Sequence, residues 1–327
     1  MTRSHLVNTP SVSIVIPVYN EQDGLASLFA QLYPVLDALG CSYELLLVDD
    51  GSRDRSAALL REQYQRRPDV TRVVLLAGNF GQHNAILAGF ERARGEMLIT
   101  LDADLQNPPH EIPRLVEQIR AGHDYVGTVR TGRQDSLWRV LPSRLLNVLR
   151  ERTTRIHITD QGCMLRAYGR NVVDAINDCP EMNTFIPALG YLFARSPVEI
   201  PVAHAEREAG ESKYSLYSLL RLNFDLMTGF SIVPLQIYSV LGVSISLLSL
   251  LFVVYMGIRR LVIGPEVEGV FTLFGIAFFL IGVVLAGVGL LGEYVGRIYA
   301  QVRARPRYRI QAVLSGPTPG DVPQDAP

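Results

Sequence analysis

Two apolar runs near the carboxyl end restrict the fold more than any other feature of the sequence. Leu235–Ile258 is about 24 residues long, Gly269–Leu291 is about 23, and neither contains a charged side chain. At about 1.5 Å of rise per residue, a helix of either length exceeds the roughly 30 Å hydrocarbon core of a bilayer. A helix buried in the core of a soluble domain is the alternative, but two uncharged runs of this length are rare there. The sequence predicts two membrane-spanning helices, at about residues 235–258 and 269–291.

The flanking charges predict how this pair is oriented. The ten residues 259–268 are too few for a domain, so the two spans form a hairpin. Five arginines follow the second span: Arg297, Arg303, Arg305, Arg307 and Arg309. By the positive-inside rule both outer ends of the hairpin are cytoplasmic, although Arg259 and Arg260 in the connection oppose this. Residues 215–233 are predicted as an interfacial helix and residues 293–327 as a basic cytoplasmic tail with a disordered end.

Strand and helix signals alternate through residues 1–214. Five β-rich runs are separated by helical periodicity: Val12–Val18, Tyr43–Val48, Thr71–Ala77, Met97–Leu101 and Asp124–Val129. Such alternation predicts βαβ units, an α/β domain and a mostly parallel sheet. Basic and acidic residues nearly cancel, at 31 against 32, so no nucleic-acid partner is expected. Three scattered cysteines without a Cys-x-x-Cys spacing favour reduced thiols in the cytosol and argue against a structural metal site.

Polar residues follow the ends of four of these strands, where parallel sheets bind their ligands. They are Tyr19-Asn20-Glu21, Asp49-Asp50, Asn79 with Gln82-His83, and Asp102 with Asp104. Asp102 and Asp104 are two positions apart, so strand geometry would point both carboxylates to one side. Such a pair suits Mg²⁺ or Mn²⁺, and a solvated Asp-rich turn is the alternative. The glycine fingerprint of dinucleotide-binding domains is absent after the first strand, which reads Pro17-Val-Tyr-Asn-Glu21.

Several of these motifs resemble a known family. Val-Ile-Pro-Val-Tyr-Asn-Glu21, Val-Asp-Asp-Gly-Ser52 and Leu-Asp-Ala-Asp-Leu-Gln-Asn-Pro-Pro109 are similar to family 2 glycosyltransferases of the GT-A fold. Asn79-Phe-Gly-Gln-His83, Gly127-Thr-Val-Arg130, Asp160-Gln-Gly-Cys-Met-Leu-Arg166 and the segment His204–Tyr214 resemble the polyprenyl-phosphate branch of that family. The resemblance implies a GT-A nucleotide-sugar-binding domain, followed by interfacial helices and the transmembrane hairpin.

The resemblance also implies roles for individual residues. Asp102 and Asp104 would hold the metal and, with Asp160, form the catalytic carboxylates. The residues implied to bind the nucleotide sugar are Pro17, Tyr19, Glu21, Asp49, Asp50, Asn79, Gln82, Asp102, Arg207 and Lys213. Of these, Pro17, Tyr19, Glu21 and Asp49 would line the uridine pocket, and Asp50 would lie near the base or ribose. Arg207 and Lys213 bracket a glycine-containing loop that would close over the phosphates, although a plain surface loop is the alternative reading.

The acceptor side follows from charge. A lipid phosphate already carries negative charge at pH 7, with a second pKa near ~6. It therefore needs positively charged groups to bind and orient it more than it needs a base to deprotonate it. Arginine guanidinium groups bind phosphates in this way, through two parallel hydrogen bonds. We predict that Arg130, Arg139 and Ser143 face the acceptor phosphate. Arg130 ends the fifth strand, and the other two lie in residues 137–146, where arginine alternates with bulky apolar groups. An amphipathic helix with a solvated basic face is the alternative. Asp160 is predicted as a base or a positioning carboxylate, with a loop cap as the alternative.

Together these expectations describe an enzyme at the cytoplasmic face of a bacterial inner membrane. It would transfer a sugar from a UDP donor to undecaprenyl phosphate with inversion, using Mg²⁺ or Mn²⁺. The resemblance implies 4-deoxy-4-formamido-L-arabinose as the sugar, lipid A modification and cationic peptide resistance as the role, and a homotetramer as the assembly. A glucosyl or mannosyl transferase of the same kind and a non-catalytic membrane-anchored scaffold are the alternatives. A processive synthase is disfavoured because no Gln-x-x-Arg-Trp motif occurs.

Overall fold

A computed structural model describes residues 9–130, 156–181, 185–203, 224, 228–229, 231–264, 270–303 and 305–316. The chain divides into two compact units, which are described separately. The first comprises residues 1–136, 156–212 and 306–327, and the second comprises residues 137–155 and 213–305. Four predicted site residues lie outside the described residues: Arg139, Ser143, Arg207 and Lys213. The predicted segment 137–146, most of the predicted interfacial helix and the chain beyond residue 316 also lie outside them.

The first unit is built on one eight-stranded sheet. Its strands are β1 (Val12–Val18), β2 (Tyr43–Asp49), β3 (Thr71–Leu76), β4 (Met97–Thr100), β5 (Tyr125–Arg130), β6 (Arg166–Gly169), β7 (Pro197–Val202) and β8 (Ile310–Leu314). Its α-helices are α1 (Leu25–Asp37), α2 (Ser56–Arg66), α3 (Gln82–Phe90), α4 (Ile112–Arg120), α5 (Arg170–Asp178) and α6 (Ile186–Phe193), and a 3₁₀ turn spans Pro109–Glu111. The predicted α/β class is confirmed.

The strand order explains where a ligand site can form. From edge to edge the order is β7-β5-β6-β4-β1-β2-β3-β8. Strands β3, β2, β1 and β4 are neighbours and run parallel, so their carboxyl ends share one edge of the sheet. The sheet also contains antiparallel pairs, because β6 is antiparallel to β4 and β5, and β8 is antiparallel to β3. The five predicted strands are all present, and β6, β7 and β8 are additional.

The central strands are apolar on both faces because helices cover both sides of the sheet. In β1, Val12, Ile14, Val15, Ile16 and Val18 are all fully buried. Helix α1 contributes Leu25, Leu28, Leu32 and Leu36 at helical spacing to the same core. A fully buried strand shows no alternation of apolar and polar residues, and that continuous pattern is what the sequence displays.

The second unit contains two long helices, α7 (Val233–Ile263) and α8 (Val270–Arg303). Both are long and apolar enough to cross a membrane. In their most apolar stretches, 0% of the residues of α7 and 6% of those of α8 are buried. That exposure argues against the core helix of a soluble domain. Helix α8 continues past the predicted end of the second span, and Arg297 pairs with Glu293 at 2.8 Å one turn away. The beginning of the predicted tail is therefore helical.

The two long helices contact each other through a tyrosine and a glycine. The Tyr238 hydroxyl of α7 donates a hydrogen bond to the Val283 carbonyl of α8 at 2.9 Å. A Cβ atom on Gly287 would lie 1.9 Å from the Tyr238 ring, whereas one on Gly289 would meet no atom within 4 Å. A glycine at 287 thus lets the tyrosine approach the backbone of α8, as small residues do in membrane helix pairs.

We expect Gly287→Leu to loosen this helix pair and Gly289→Leu to leave it unchanged. The first substitution overlaps the Tyr238 ring, and overpacking of this kind costs about 1–3 kcal/mol. The second adds the same apolar volume where the structure leaves room within this chain. Thermal unfolding of the detergent-purified proteins would measure the difference. Equal melting temperatures for the two variants would contradict the packing described here.

Candidate active site

The carboxyl edge formed by the four parallel strands gathers the polar groups that the sequence singled out. Asp49 is the last residue of β2, Gln82 begins α3 just after β3, and Asp102 follows β4 by two residues. Pro17 and Tyr19 lie at the end of β1, where Tyr19 is 40% exposed at the rim. The edge therefore carries an exposed aromatic side chain together with several carboxylates.

The loops after β1 and β2 are held together by hydrogen bonds between their polar residues. Asn20 adopts a left-handed conformation with φ of 55°, which turns the chain after β1. The backbone N–H groups of Asn20, Glu21 and Gln22 donate to Ser52, Ser56 and Asp54, at 3.0, 2.9 and 3.2 Å. In return the N–H groups of Arg53 and Arg55 donate to Asn20 and Gln22, at 2.8 and 3.1 Å. These reciprocal hydrogen bonds join the two loops into one surface beside Asp49.

Asp49 is a buried carboxylate with one uncommitted oxygen. Its Oδ2 accepts a hydrogen bond from the Ser52 N–H at 3.2 Å. Its Oδ1 is buried and has no partner within the described part of the chain. Burial raises the pKa of this carboxyl group above its usual value. A buried polar atom left without a partner is costly, so Oδ1 is suited to accept a hydrogen bond from a bound ligand.

Asp50 uses both carboxylate oxygens on the neighbouring loop. It accepts hydrogen bonds from the Phe80 and Gly81 N–H groups, at 2.8 and 2.9 Å. Gly51 follows with φ of 69°, and a Cβ there would lie 2.4 Å from the Gly78 carbonyl carbon. The expected place of Asp50 near the base or ribose stays a prediction. The contacts themselves assign Asp50 to holding the loop that carries Asn79 and leads into α3.

Asp102 and Asp104 lie next to each other in a half-buried position. The Gln82 side chain donates to Asp102 Oδ1 at 2.6 Å, and the Gln106 N–H donates to Asp104 Oδ1 at 3.1 Å. Leu105 directly follows Asp104 and has φ of 58°, so the chain turns sharply after the pair. Burial, followed by the charge of Asp104, raises the pKa of Asp102 to about 7. A nearby cation would favour the ionised form of Asp102.

This pair fits a divalent ion shared with a substrate. Within the described residues no group of three or more His, Cys, Asp or Glu side chains is arranged to hold a metal. Mg²⁺ is commonly held by only one or two carboxylates, with substrate phosphate oxygens and water completing the shell. Asp102 and Asp104 match that donor set. The two carboxylates therefore suit a divalent ion whose coordination is completed by a phosphate-containing ligand.

Arg130 and Asp160 form an ion pair at the end of β5. The guanidinium donates from Nε to Asp160 Oδ2 at 2.6 Å and from Nη2 to Oδ1 at 2.8 Å. The Gly162 N–H also donates to Oδ1 at 3.1 Å. The Arg130 hydrogen bonds and charge hold the pKa of Asp160 below its usual value against the opposing effect of burial. A carboxylate with both oxygens engaged and a low pKa is a weak base, which favours the positioning role over general-base catalysis.

The pair leaves part of Arg130 for another acceptor. A guanidinium has five N–H groups, and Asp160 takes two of them along one edge. Within the described residues, Nη1 makes no hydrogen bond or ion pair. Its position is fixed by Asp160, so less side-chain freedom is lost when an anion binds. The predicted contact of Arg130 with an acceptor phosphate remains compatible with the ion pair.

Several residues at this edge have roles, through contacts with the backbone, that the sequence motifs did not predict. Ser52 and Ser56 connect the β1 and β2 loops, and Gly51 permits the close approach to Gly78. Arg166 is fully buried and donates hydrogen bonds to the Cys163 and Asp160 carbonyls. No spacing rule would have found these residues, because each one contacts a segment that is distant in the sequence or a backbone atom.

Comparison with known proteins decides the class of this site. The profile described as "Glycosyl transferase family 2" matches residues 13–176, which include every carboxylate described at this site. The chain belongs to glycosyltransferase family 2. It is a glycosyltransferase, which confirms the family and enzyme class that the motifs indicated. The non-catalytic scaffold alternative receives no support from this match.

Close relatives of this glycosyltransferase share one name. The chain is 53% identical over 312 residues to the undecaprenyl-phosphate 4-deoxy-4-formamido-L-arabinose transferase of Edwardsiella ictaluri, covering 95% of this chain and 96% of the relative. It is 51% identical over 316 residues to the protein of the same name from Klebsiella pneumoniae strain 342, covering 96% and 97%. The similarity therefore includes the two long apolar helices as well as the sheet.

Solved structures confirm the GT-A-like fold. Glucosyl-3-phosphoglycerate synthase from Mycobacterium tuberculosis, in complex with phosphoglyceric acid, matches with a TM-score of 0.52 and 17% identity. That match covers 68% of this glycosyltransferase and 80% of the synthase. The same synthase in complex with Mn²⁺, UDP-glucose and phosphoglyceric acid gives a TM-score of 0.51, with 67% and 79% covered. At this identity the likeness concerns the fold alone.

Proposed function

We propose that this glycosyltransferase transfers 4-deoxy-4-formamido-L-arabinose from a UDP donor to undecaprenyl phosphate. The observation that carries the proposal is the 53% identity over 95% of the chain to a transferase with that printed name. The lipid-linked product would serve lipid A modification and cationic peptide resistance. A glucosyl or mannosyl transferase acting on the same lipid is the second candidate, because the described contacts do not distinguish between donor sugars.

On the donor side, the uridine would bind to the surface that the loops after β1 and β2 form beside Asp49. The unpartnered Asp49 Oδ1 would accept a hydrogen bond from uracil N3–H, with Pro17, Tyr19 and Glu21 lining the pocket. Asp102 would face the ribose and the metal, and Asp104 would hold the ion beside the two phosphates. When bound, Mg²⁺ or Mn²⁺ would neutralise charge on the departing diphosphate. The structural neighbour solved with Mn²⁺ and UDP-glucose supports the use of a divalent ion in general.

On the acceptor side, Arg130 would orient the lipid phosphate. A phosphate oxygen attacks the anomeric carbon, the bond from that carbon to the UDP oxygen breaks, and the configuration inverts. The attacking oxygen is already anionic, so no proton has to be removed. The low pKa of Asp160 suits a group that holds Arg130 and stays charged. Arg139, Ser143, Arg207 and Lys213 remain predictions for the acceptor and diphosphate contacts.

The chain connectivity supports a cytoplasmic site. Strands β1 to β7 come before helix α7 in the chain, and strand β8 comes after helix α8. Strand β8 nevertheless pairs with β3 in the same sheet. If both helices cross the bilayer, the number of crossings is even and the sheet stays on one side. The arginines after the second span favour the cytoplasmic side of a bacterial inner membrane. A UDP-sugar from the cytosol and a lipid phosphate at the bilayer surface would both reach such a domain. A homotetramer is proposed from family resemblance alone.

The uridine assignment predicts that Asp49→Asn weakens UDP binding. The change puts an amide in place of a charged acceptor, and hydrogen bonds to charged groups are worth about 1.5–3 kcal/mol. We expect the Kd for UDP in the presence of Mn²⁺ to rise by about tenfold or more, measured by titration calorimetry. Asp69→Asn, on an exposed carboxylate that precedes β3 at the opposite edge, is the matched control. Equal UDP affinity in the two variants would contradict the assignment.

The proposed reaction is tested by release of UDP from the purified full-length protein. The assay supplies undecaprenyl phosphate, a divalent ion and a panel of UDP-sugars that includes 4-deoxy-4-formamido-L-arabinose, glucose and glucosamine derivatives. We expect release that depends on both the lipid and the metal and is fastest with the formamido sugar. Faster turnover with UDP-glucose would favour the second candidate. No lipid-dependent release with any donor would reject the proposal.

A further inference from the structure

Arg166 is a buried cation held mainly by backbone carbonyls. It is the first residue of β6, pairs with Thr100 of β4, and is 0% exposed. Its Nε donates to the Cys163 carbonyl at 2.8 Å, and its two Nη groups donate to the Tyr125 hydroxyl and the Asp160 carbonyl. Among the described residues no carboxylate forms an ion pair with it. The side chain therefore folds back onto the segment that immediately precedes it.

The energetics make this arrangement demanding. A charge removed from water is expensive unless it is paired or fully hydrogen-bonded. Arg166 meets that requirement only while the Asp160 and Cys163 carbonyls and the Tyr125 hydroxyl converge on it. Displacing the segment would leave a buried guanidinium unsatisfied. The conformation of residues 160–163 is consequently coupled to the position of this one side chain.

The same segment presents Asp160 to Arg130. The Asp160 carbonyl contacts Arg166, while its carboxylate engages the Arg130 guanidinium. Gly162 lies so near that a Cβ there would be 2.8 Å from Arg130 Nη2. The two arginines thus contact opposite ends of one residue, the backbone and the side chain of Asp160.

We propose that Arg166 is a positioning residue for the acceptor phosphate. By fixing the Asp160 backbone, it fixes the carboxylate that holds Arg130, and so sets the direction of the Arg130 N–H groups that remain. The inference rests on the proposed function, because it assigns Arg130 to the lipid phosphate. Lysine cannot replace Arg166 here: a single ammonium at the end of a flexible stem does not reproduce a planar fork with three acceptors in different directions.

The chain provides a matched control in Arg170. It begins α5, and its guanidinium donates to the Ala93 carbonyl at 3.0 Å and, through Nε, to the Gly95 carbonyl at 2.9 Å. It is therefore another arginine that holds backbone carbonyls, but Gly95 precedes β4 while the acidic pair follows it. Arg170 is 31% exposed and also pairs with Asp174 at 3.7 Å, so Arg170→Lys makes the same chemical change at a less buried position, without touching the Asp160 segment.

The kinetic test compares R166K with R170K in the full-length protein. We expect R166K to raise the KM for undecaprenyl phosphate and to lower kcat/KM for it by about tenfold or more. Its Kd for UDP with Mn²⁺ should stay within about twofold of the unmodified protein. R170K should leave both quantities near their original values even if its melting temperature falls equally. Tyr125→Phe removes one contact of Arg166 and should shift the same KM in the same direction by a smaller factor.

Hydrogen exchange supplies a readout that does not depend on turnover. R166K should speed amide exchange within residues 160–165, whereas R170K should not. Unchanged exchange there, or equal kinetic losses in R166K and R170K, would overturn the proposal. Faster exchange with an unchanged KM for the lipid would overturn the acceptor role. If the unmodified protein shows no lipid-dependent turnover, the proposed function and the acceptor role fall together, and exchange alone decides whether Arg166 holds the segment.

Discussion

Asp104→Asn should reduce kcat by a factor on the order of 10²–10³ at saturating donor, lipid and divalent ion. Stabilisation of charge on a departing phosphate by a metal is worth several kcal/mol, and a neutral amide is a poor ligand for a hard cation. The geometry supports a loss of this size, because the described residues offer only Asp102 as a second carboxylate beside it. The rate of UDP release, measured over a range of Mn²⁺ and Mg²⁺ concentrations, gives the result.

Asp69→Asn is the control for the same chemical change away from this edge. Asp69 is exposed and pairs with Arg67 at 3.4 Å before β3 begins. We expect it to keep normal turnover. Turnover of Asp104→Asn close to that of the control at every metal concentration, low as well as saturating, would remove Asp104 from the metal site. Recovery of Asp104→Asn at high metal concentration would instead show that the residue sets metal affinity and contributes little to the chemical step.

Gly51→Ala should disrupt both the stability of the sheet edge and the binding of UDP. The added Cβ would lie 2.4 Å from the Gly78 carbonyl carbon and 2.7 Å from its oxygen. Backbone atoms on both sides leave no flexible side chain to move away, so the two loops must separate. The φ of 69° adds strain of about 1–3 kcal/mol for a residue with a side chain. Separation would also break the contacts of Asp50 with Phe80 and Gly81.

Gly40→Ala is the control that separates backbone strain from steric overlap of the added Cβ. Gly40 has nearly the same conformation, with φ of 65°, but a Cβ there would meet no atom within 4 Å. This variant should show only the strain cost, with unchanged UDP affinity. Thermal melting and the Kd for UDP, measured for both variants, distinguish the two effects. Closely matching melting temperatures would mean that the loops after β2 and β3 are not packed as described.

The sequence predicted the parts of this protein that depend on local pattern. The parallel strands, the helices between them and the two apolar helices each show their own periodicity within a short window. The shared edge follows from parallel pairing, which places Asp49 and Asp102 near each other without knowledge of any contact. Motif resemblance supplied the family, which the comparisons confirm.

The remainder depends on contacts between distant segments. Asp160 and Arg130 are thirty positions apart, and each of them would be read separately as a site residue. Their ion pair changes the chemistry of both, because Asp160 loses basicity and Arg130 loses part of its donor set. Strand β6 has only four residues and begins with a charged side chain, so nothing in its composition indicates a buried strand. Asp50 looks like a ligand-binding carboxylate but spends both oxygens on backbone N–H groups.

The pairing of β8 with β3 bears on how this protein should be handled in the laboratory. A water-soluble fragment that stops before the hairpin would leave the outer edge of β3 bare, with backbone N–H and C=O groups from Val73 to Leu76 facing solvent. Exposed strand edges recruit other strands and promote aggregation. A fragment that replaces the hairpin with a flexible linker and retains residues 306–316 would keep that edge covered.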